Sequence, residues 1–404
     1  MRVLWMKSDY VIPPDTGGKI RTYNLMRELN SLCDVTYLAF KHEDTPNTEP
    51  EIEGCAAEIV TVHRPEEIKS GAGFYGRVLR GMASSLPYMA QKFRSTEIVN
   101  HQREFVKADE EPRVVLCDFL EMAENVDWSL PCPKVLFQHN VESMIWKRLS
   151  LTEENPLKKA YFSFEHKRMT KYEAKICNQF DLVFAVSEED KKQLQEEFGV
   201  TSPIEILETG VNTEYFKRAT QPSVPGRLVF LGSMDWMPNI DGMKWFVSEI
   251  YDLVKDKYPD ITLDIVGRRP GDEIKSFAKN DASIRILADV PDVRPHISDS
   301  DLFIVPLRVG GGSRIKIYEA MAMDRPVVST TIGAEGLPLT PDEHIAIGDT
   351  PAEFAEQILL LLNDAEKKQK ISNSGYQLVT ENFQWKNVAV QLRNHCQDLV
   401  KNNE

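Results

Sequence analysis

Short apolar runs alternate along this chain with longer segments in which apolar residues recur every three or four positions. The short runs are typical of strands buried on both faces of a parallel sheet, and the longer segments are typical of amphipathic helices. Strands are predicted at residues 2–6, 35–40, 113–117, 134–138, 182–187, 228–231, 261–266, 284–287, 302–307 and 327–330. Their alternation with helices predicts an α/β fold built on doubly wound parallel sheets.

The chain is long enough for two domains, since 404 residues allow two hydrophobic cores of ordinary size. The segment TQPSVPG at residues 220–226 contains two prolines and is predicted to be the linker. We therefore expect a first domain over residues 1–219 and a second domain over residues 220–383.

Composition excludes several classes of function. A formal net charge of −14 argues against general nucleic-acid binding, which needs a basic face to neutralise phosphates. The six cysteines show no C-x-x-C spacing, no secretory signal precedes them, and no apolar run is long enough to cross a membrane. We expect a cytoplasmic protein with reduced thiols and no zinc site.

The segment 69–107 differs in charge from the rest of this acidic chain. Two acids, Glu97 and Glu104, accompany seven basic residues: Lys69, Arg77, Arg80, Lys92, Arg94, Arg103 and Lys107. Aromatic and aliphatic residues are interleaved with them. One interpretation is contact with an anionic surface, either the inner face of a membrane or a lipid-linked diphosphate. The other is a packed helix pair with solvated charges, and the sequence leaves both open.

The segment 301–338 contains the residues with the clearest pattern of a binding site. A predicted strand is followed by Gly310, Gly311 and Gly312 and by a helix that opens near Ser313. Glycines let the backbone approach an anion, and the first N–H groups of a helix point at it. Arg314 and Lys316 add positive charge, and Glu319 lies where a carboxylate reaches sugar hydroxyls. An ordinary strand-to-helix turn is the alternative, but the phased charges favour a phosphate site.

These residues resemble the nucleotide-sugar site of the retaining GT-B glycosyltransferases of family 4. Glu319, Ala320-Met321-Ala322 and Arg325-Pro326-Val327-Val328 match the second half of that family's motif. The first acid of the motif falls on Gly311 and is absent. The variant GGGSRxKxxEAMA is similar to a subgroup that makes bacterial polysaccharides and related glycans.

The resemblance implies the GT-B fold, in which two Rossmann-like domains face a cleft and the C-terminal helix, here residues 384–404, packs back on the first domain. Residues 204–216 resemble that family's last strand of the first domain and its exit turn. It further implies transfer of a sugar, with retention, from a nucleotide-diphosphate sugar to a glycan, a lipid-linked acceptor or a small molecule. We expect no cofactor and no metal, because no D-x-D motif lies in a comparable loop.

The resemblance also assigns roles. Arg314 and Lys316 would stabilise the departing diphosphate, Glu319 would bind the ribose, and His139 in the sequence QHNVES would lie beside the donor sugar. Most family members carry an Arg and a Lys in the loop after the first strand of the second domain, but here Lys244 is the first basic residue. Further donor contacts are expected from Gly17, Gly18, Gly232, Asn239, Val290, Gly310, Gly311, Gly312, Ser313 and Ile315.

Two alternatives remain open. A nucleotide-sugar epimerase with the same fold would use His139 and Asp118, which follow predicted strands, as its acid and base. A non-catalytic scaffold for glycan assembly would keep the fold and lose the positive charges that hold the diphosphate. The sequence leaves the base, the sugar, the acceptor and the oligomeric state undetermined.

Overall fold

The computed structural model describes residues 1–14, 16–43, 52, 54–64, 84, 86–107, 111–153, 155–309 and 314–403. The chain folds into two compact units. The first contains Met1–Glu208 together with Trp385–Glu404, and the second contains Thr209–Gln384. Each unit contains a parallel sheet with helices, so the predicted fold class of two Rossmann-like, doubly wound domains is confirmed.

The boundary between the units lies earlier than the proline-containing linker at residues 220–226. Val211 and Phe216 are buried in the hydrophobic core of the second unit. The N–H of Val211 also donates to the carbonyl oxygen of Phe383, at 2.7 Å. Residues 209–219 therefore belong to the second unit by packing, whereas the sequence assigned them to the first.

The first unit is built on a seven-stranded parallel sheet in the order β3-β2-β1-β4-β5-β6-β7. The strands are β1 (Arg2–Lys7), β2 (Asp34–Lys41), β3 (Glu58–His63), β4 (Arg113–Asp118), β5 (Lys134–Phe137), β6 (Leu182–Ala185) and β7 (Ile204–Ile206). The central strands are apolar and almost wholly buried because helices cover both faces of the sheet.

Seven helices accompany this sheet among the described residues of the first unit. They are α1 (Gly17–Asn30), α2 (Tyr88–Lys92), α3 (Thr96–Lys107), α4 (Glu142–Thr152), α5 (Pro156–Cys177), α6 (Glu188–Lys192) and α14 (Trp385–Asn403), with a 3₁₀ helix at Leu120–Asn125. Ser187 caps α6 as its sequence predicts, because its side chain accepts a hydrogen bond from the Asp190 N–H. The C-terminal helix α14 packs on α1 and buries Trp385, Val388 and Leu392 in the same core.

The second unit is built on a six-stranded parallel sheet in the order β10-β9-β8-β11-β12-β13. The strands are β8 (Arg227–Leu231), β9 (Thr262–Gly267), β10 (Ile284–Ala288), β11 (Leu302–Val305), β12 (Val327–Ser329) and β13 (Ala346–Ile347). The helices are α7 (Met237–Trp245), α8 (Tyr251–Lys255), α9 (Asp272–Asn280), α10 (Arg294–Asp299), α11 (Ile315–Ala322), α12 (Pro351–Asn363) and α13 (Ala365–Asn382).

Two edge strands escaped the sequence prediction. β3 is exposed at most positions, and β13 contains two residues, so neither produces an apolar run. The six cysteines are free thiols, and no helix among the described residues is long and apolar enough to cross a membrane.

Candidate functional site

A buried ion pair lies at the carboxyl end of the first sheet. β1 and β4 are adjacent parallel strands, and their register places Lys7 directly beside Asp118, the last residue of each strand. The Lys7 Nζ lies 3.0 Å from Asp118 Oδ2, and both side chains are almost fully buried. The open ends of parallel strands are where ligands bind in doubly wound sheets, so this pair lies at the edge where a site is expected.

Asp118 is the centre of a hydrogen-bond network. Its Oδ2 accepts hydrogen bonds from Trp5 Nε1 at 2.9 Å and Thr22 Oγ1 at 2.6 Å, in addition to Lys7. Its Oδ1 lies 2.6 Å from His139 Nε2. Burial alone would raise the pKa of Asp118, but the Lys7 ammonium, His139 and Thr22 outweigh it and hold that pKa well below its ordinary value. Asp118 is therefore an ionised carboxylate whose position is held by its hydrogen-bond partners.

His139 is buried and neutral at physiological pH. Burial lowers its pKa to about 4 despite the neighbouring Asp118 carboxylate. A neutral imidazole whose Nε2 faces a carboxylate oxygen must carry its proton on that nitrogen. Its Nδ1 is then an acceptor. The ring is fixed by stacking on Phe119, with ring centroids 3.9 Å apart and planes inclined by 13°.

The start of α1 approaches the same cluster. A Cβ on Gly18 would lie 2.9 Å from the ring of Phe119, so this position needs glycine for close approach, whereas a Cβ on Gly17 would meet open space. Phe119 itself has a φ of 74°, which turns the chain out of β4 and under the imidazole. The structure therefore brings Gly18 and His139, both predicted site residues, to one place.

Three glutamates lie beyond His139. Glu173 is fully buried and accepts hydrogen bonds from the N–H groups of Glu142 and Ser143, at 2.8 and 3.1 Å, which caps the start of α4. Burial and the charges of Glu121 and Glu173 raise the pKa of Glu142 to about 8. The acid cluster depends on contacts with α5 that sequence spacing does not show.

In the second unit, a tight turn follows β8. A Cβ on Gly267 would lie 1.8 Å from the Gly232 carbonyl oxygen, and a Cβ on Gly232 would lie 2.7 Å from the amide nitrogen of Asn239. The Asn239 Nδ2 donates to the Ser233 carbonyl oxygen at 2.8 Å. Gly232 and Asn239, both predicted donor contacts, are thus packed against each other at the carboxyl end of β8.

Lys316 joins this turn to α11. Its Nζ donates to the Leu231 carbonyl oxygen at 2.6 Å and to Asn239 Oδ1 at 3.2 Å, and it lies over the Phe230 ring, 4.5 Å from the centroid. Burial, followed by the charge of Arg314, lowers its pKa to about 7. Lys316 is therefore a half-buried ammonium held at the strand end and differs from an ordinary solvated helix lysine.

Glu319 lies one turn further along α11 in a different environment. Glu319 is half-buried, and within the described part of the chain its carboxylate forms no hydrogen bond and no ion pair. Burial raises its pKa to about 7, against the opposing charge of Lys316. A carboxylate that is desolvated without donors around it is a strong candidate for binding a ligand.

The remaining predicted donor residues divide into two groups. Arg314 is buried at the first turn of α11, next to the half-buried Ile315, and Val290 is half-buried after β10, against the core of the second unit. Gly310, Gly311, Gly312 and Ser313 lie outside the described residues. Their contact with phosphate stays a prediction.

The basic segment 69–107 is described only from residue 84 onward, with residue 85 outside, so Lys69, Arg77 and Arg80 lie outside the described residues. In the described portion, Arg94 pairs with Glu124 at 3.7 Å and Arg103 pairs with Asp127 at 2.6 Å. α3 buries Ile98 and Phe105. This portion is a packed helix with paired charges.

Among the residues that the structure describes, no three His, Cys, Asp or Glu side chains form a group that could hold a metal ion. Two doubly wound parallel-sheet units in one chain are the architecture of the GT-B fold. Two family models match: Glycosyltransferase Family 4 over residues 16–215 and Glycosyl transferases group 1 over residues 225–364. Between them they cover most of both units. The chain therefore belongs to the glycosyltransferases with the GT-B fold.

Curated relatives match part of the chain. An uncharacterised 44.6 kDa protein in the cps region of Klebsiella pneumoniae is 25% identical over 262 residues, which cover 63% of this chain and 66% of the relative. A GDP-mannose-dependent phosphatidylinositol monomannoside mannosyltransferase of Corynebacterium glutamicum is 23% identical over 243 residues, which cover 55% of this chain and 64% of the relative. Each match spans slightly less than two thirds of the relative's length.

Solved structures resemble the chain over its whole length. A glycosyltransferase from Rickettsia africae has a TM-score of 0.69 at 16% identity, with 99% of both chains covered. Sucrose-phosphate synthase from Thermosynechococcus elongatus has a TM-score of 0.72 at 15% identity, with 100% of both chains covered. HepE from Anabaena in complex with UDP has a TM-score of 0.68 at 12% identity, with 98% of this chain and 100% of that chain covered. At these identities the likeness shows the fold.

Proposed function

We propose that this protein is a retaining glycosyltransferase that moves a sugar from a nucleotide-diphosphate sugar to an acceptor in polysaccharide or glycoconjugate biosynthesis. The observation that carries the proposal is the pair Lys316 and Glu319 on one face of α11. One is a half-buried cation and the other a half-buried acid without a hydrogen bond among the described residues. A nucleoside diphosphate supplies what each lacks, namely an anion for the cation and hydroxyl donors for the acid.

The donor is proposed to bind to the second unit. Glu319 would accept hydrogen bonds from the ribose hydroxyls, and such bonds to a charged acceptor are stronger than neutral ones. HepE from Anabaena has been solved in complex with UDP and with UDP-glucose, which supports a nucleotide-sugar donor. One relative is GDP-mannose-dependent by its name, so the base stays open.

Lys316 and Arg314 would act on the departing diphosphate. Two of the three Lys316 N–H groups have acceptors in Leu231 and Asn239, which fixes the ammonium and leaves the third donor for a phosphate oxygen. As the glycosidic bond breaks, negative charge grows on the diphosphate, and a donor already fixed in place needs no reorganisation to stabilise it. Removing one such donor typically costs about 2.7–4 kcal/mol of transition-state stabilisation.

In the first unit, His139 is proposed to orient a substrate hydroxyl. Its Nδ1 accepts a hydrogen bond, since Nε2 is engaged by Asp118. With a pKa of about 4, His139 is a neutral imidazole at neutral pH and does not act as an acid. An acid role for His139 in an epimerase is therefore not favoured. We propose that no protein nucleophile takes part and that the leaving phosphate accepts the proton of the acceptor hydroxyl.

The acceptor is proposed to be a glycan, a lipid-linked saccharide or a small molecule, and the reaction is proposed to need neither a metal nor a cofactor. Peripheral association of a cytoplasmic enzyme with the inner face of a membrane is part of the same proposal.

Incubating the protein with UDP- and GDP-sugars and an acceptor mixture, with and without a chelator, tests this function. Release of nucleoside diphosphate together with a product of the donor's anomeric configuration, seen by NMR, would support it. An epimerised nucleotide sugar would favour the epimerase alternative. No turnover with any donor would favour the scaffold.

A further inference from the structure

The end of the α4–α5 hairpin is unusually apolar for an exposed surface. α4 and α5 are consecutive helices that pack against each other, and three residues separate them in the sequence. Leu149 and Leu151 near the end of α4 are 41% and 69% exposed, and Leu157 in the first turn of α5 is 83% exposed. Three large apolar side chains exposed to water within nine residues of the sequence are unfavourable, and such exposure marks a surface that is covered in use.

An aromatic cluster supports this end of the hairpin. Trp146 lies against Tyr161 and Phe162, with ring centroids 6.3 and 6.0 Å apart, and the two latter rings are 5.9 Å apart. All three side chains are half-buried. They fix α4 against α5, so the exposed leucines stand on a rigid base.

Basic residues are frequent in the same stretch of the sequence. Between Ser143 and Lys171 the sequence contains seven Lys or Arg residues and three acids, in a chain whose net charge is −14. Lys158 and Lys159 follow Leu157 directly and are exposed, and Lys147 is half-exposed beside Trp146. None of these three lysines forms an ion pair with any part of the chain that the structure describes. We call Leu149, Leu151, Leu157, Lys147, Lys158 and Lys159 the hairpin tip.

We propose that the hairpin tip is a docking surface for an anionic lipid membrane. Exposed leucines together with aromatic rings and lysines are the composition of a structure that lies in the lipid headgroup region. The leucines would enter the boundary of the acyl chains while the lysine ammonium groups meet lipid phosphates.

Charge favours a membrane over a second copy of the chain. A symmetric dimer through the hairpin tip would place the lysines of one copy against those of the other, and juxtaposed like charges are unfavourable. The rest of the acidic surface would be repelled by an anionic membrane, which leaves the basic tip as the point of contact. The inference rests on the peripheral membrane association proposed above, and vesicle binding can be measured apart from sugar transfer.

Vesicle flotation with the full chain tests the proposal. The probes are vesicles of phosphatidylcholine alone and vesicles of phosphatidylcholine and phosphatidylglycerol in equal parts. We expect binding to the mixed vesicles that weakens as salt is added, and little binding to the neutral ones. Lys158→Glu with Lys159→Glu should lower the partition coefficient by about 25-fold, and Leu151→Ser with Leu157→Ser by at least about tenfold.

The matched control is Lys275→Glu with Lys279→Glu, two exposed lysines one turn apart on α9 of the second unit. This variant has the same change of net charge and should bind like the wild type, and unchanged melting curves would show that all variants fold. Equal loss in the control, or no binding of the wild type to mixed vesicles, would overturn the proposal. A dimer in sedimentation that the Leu151→Ser, Leu157→Ser variant abolishes would instead assign the surface to self-association.

Discussion

The charged clusters at the strand ends of the two units are built in opposite ways. In the first unit, Asp118 accepts hydrogen bonds from Trp5, Thr22 and Lys7 and contacts His139, and its pKa is lowered. In the second unit, the carboxylate of Glu319 accepts no hydrogen bond from the described residues, and burial raises its pKa to about 7.

This difference indicates that Asp118 stabilises the fold and that Glu319 binds a ligand. A buried charge with all its partners is part of the folded structure, and removing one partner leaves the others uncompensated. A desolvated charge without partners lowers stability until something binds to it. We therefore expect changes in the first cluster to affect folding most, and changes in the second to affect donor binding and turnover most.

The largest effect is expected for Asp118→Asn. The change leaves the Lys7 ammonium buried without its counter-charge, which should lower the free energy of unfolding by about 3–5 kcal/mol. Urea denaturation followed by circular dichroism measures it. The matched control is Asp299→Asn, which removes an exposed pair with Arg227 and should change stability by less than about 1 kcal/mol. Equal effects of the two variants would contradict the assignment of Asp118 to the fold.

Lys316→Met should affect turnover more than folding. We expect kcat/KM for the nucleotide sugar to fall about 100-fold, or about 2.7 kcal/mol, because a fixed donor to the departing diphosphate is lost. Unfolding should change less than in Asp118→Asn, since Lys316 is already desolvated in the fold and its pKa is lowered to about 7. Lys244→Met, at an exposed lysine paired with Glu273, is the control and should keep full activity. A fully active Lys316→Met enzyme would remove Lys316 from the reaction.

Glu319→Gln should weaken donor binding without lowering the stability of the fold at pH 8. The KM for the donor should rise about tenfold, since the ribose would lose a charged acceptor. The folded pKa of Glu319 lies above its unfolded value, so the destabilisation by its carboxylate grows between about pH 4.5 and 7 and is complete at pH 8. At pH 8 the variant should therefore be at least as stable as the wild type, and the difference should shrink towards pH 5. Lower stability at pH 8 would show that Glu319 has a structural partner.

The smallest effect concerns pH and donor affinity. The Lys316 pKa of about 7 means that the free protein loses this charge as pH rises, whereas a bound diphosphate favours the protonated form. Affinity for nucleoside diphosphate should fall about fivefold between pH 7 and 8, with proton uptake on binding at pH 8. Calorimetry in two buffers of different ionisation enthalpy measures that uptake. Lys316→Met should abolish it, and uptake that persists in the variant would assign the proton to another group.

The sequence predicted most of the sheets because their strands are buried on both faces and produce continuous apolar runs. It also placed His139 and Asp118 at strand ends, where the structure shows them 2.6 Å apart. The sequence pattern predicted no role for Lys7, because Lys7 is a single charged residue at the end of an apolar run. Its position gave a usable signal, since strands 1 and 4 are neighbours in the classic doubly wound order and their last residues must meet.

Other features depend on contacts that spacing along one element does not reveal. Helical phasing places Lys316 and Glu319 near each other, but it does not show that Lys316 reaches the Leu231 carbonyl oxygen on another strand. The aromatic base under the hairpin tip likewise depends on how α5 packs against α4.

The most direct test of the central claim is a structure of the full chain bound to a nucleoside diphosphate. We predict that the diphosphate lies in the second unit, with a phosphate oxygen within about 3 Å of Lys316 Nζ and the ribose hydroxyls at a similar distance from the Glu319 carboxylate. A diphosphate bound wholly to the first unit, with Lys316 and Glu319 making no contact to it, would contradict the account.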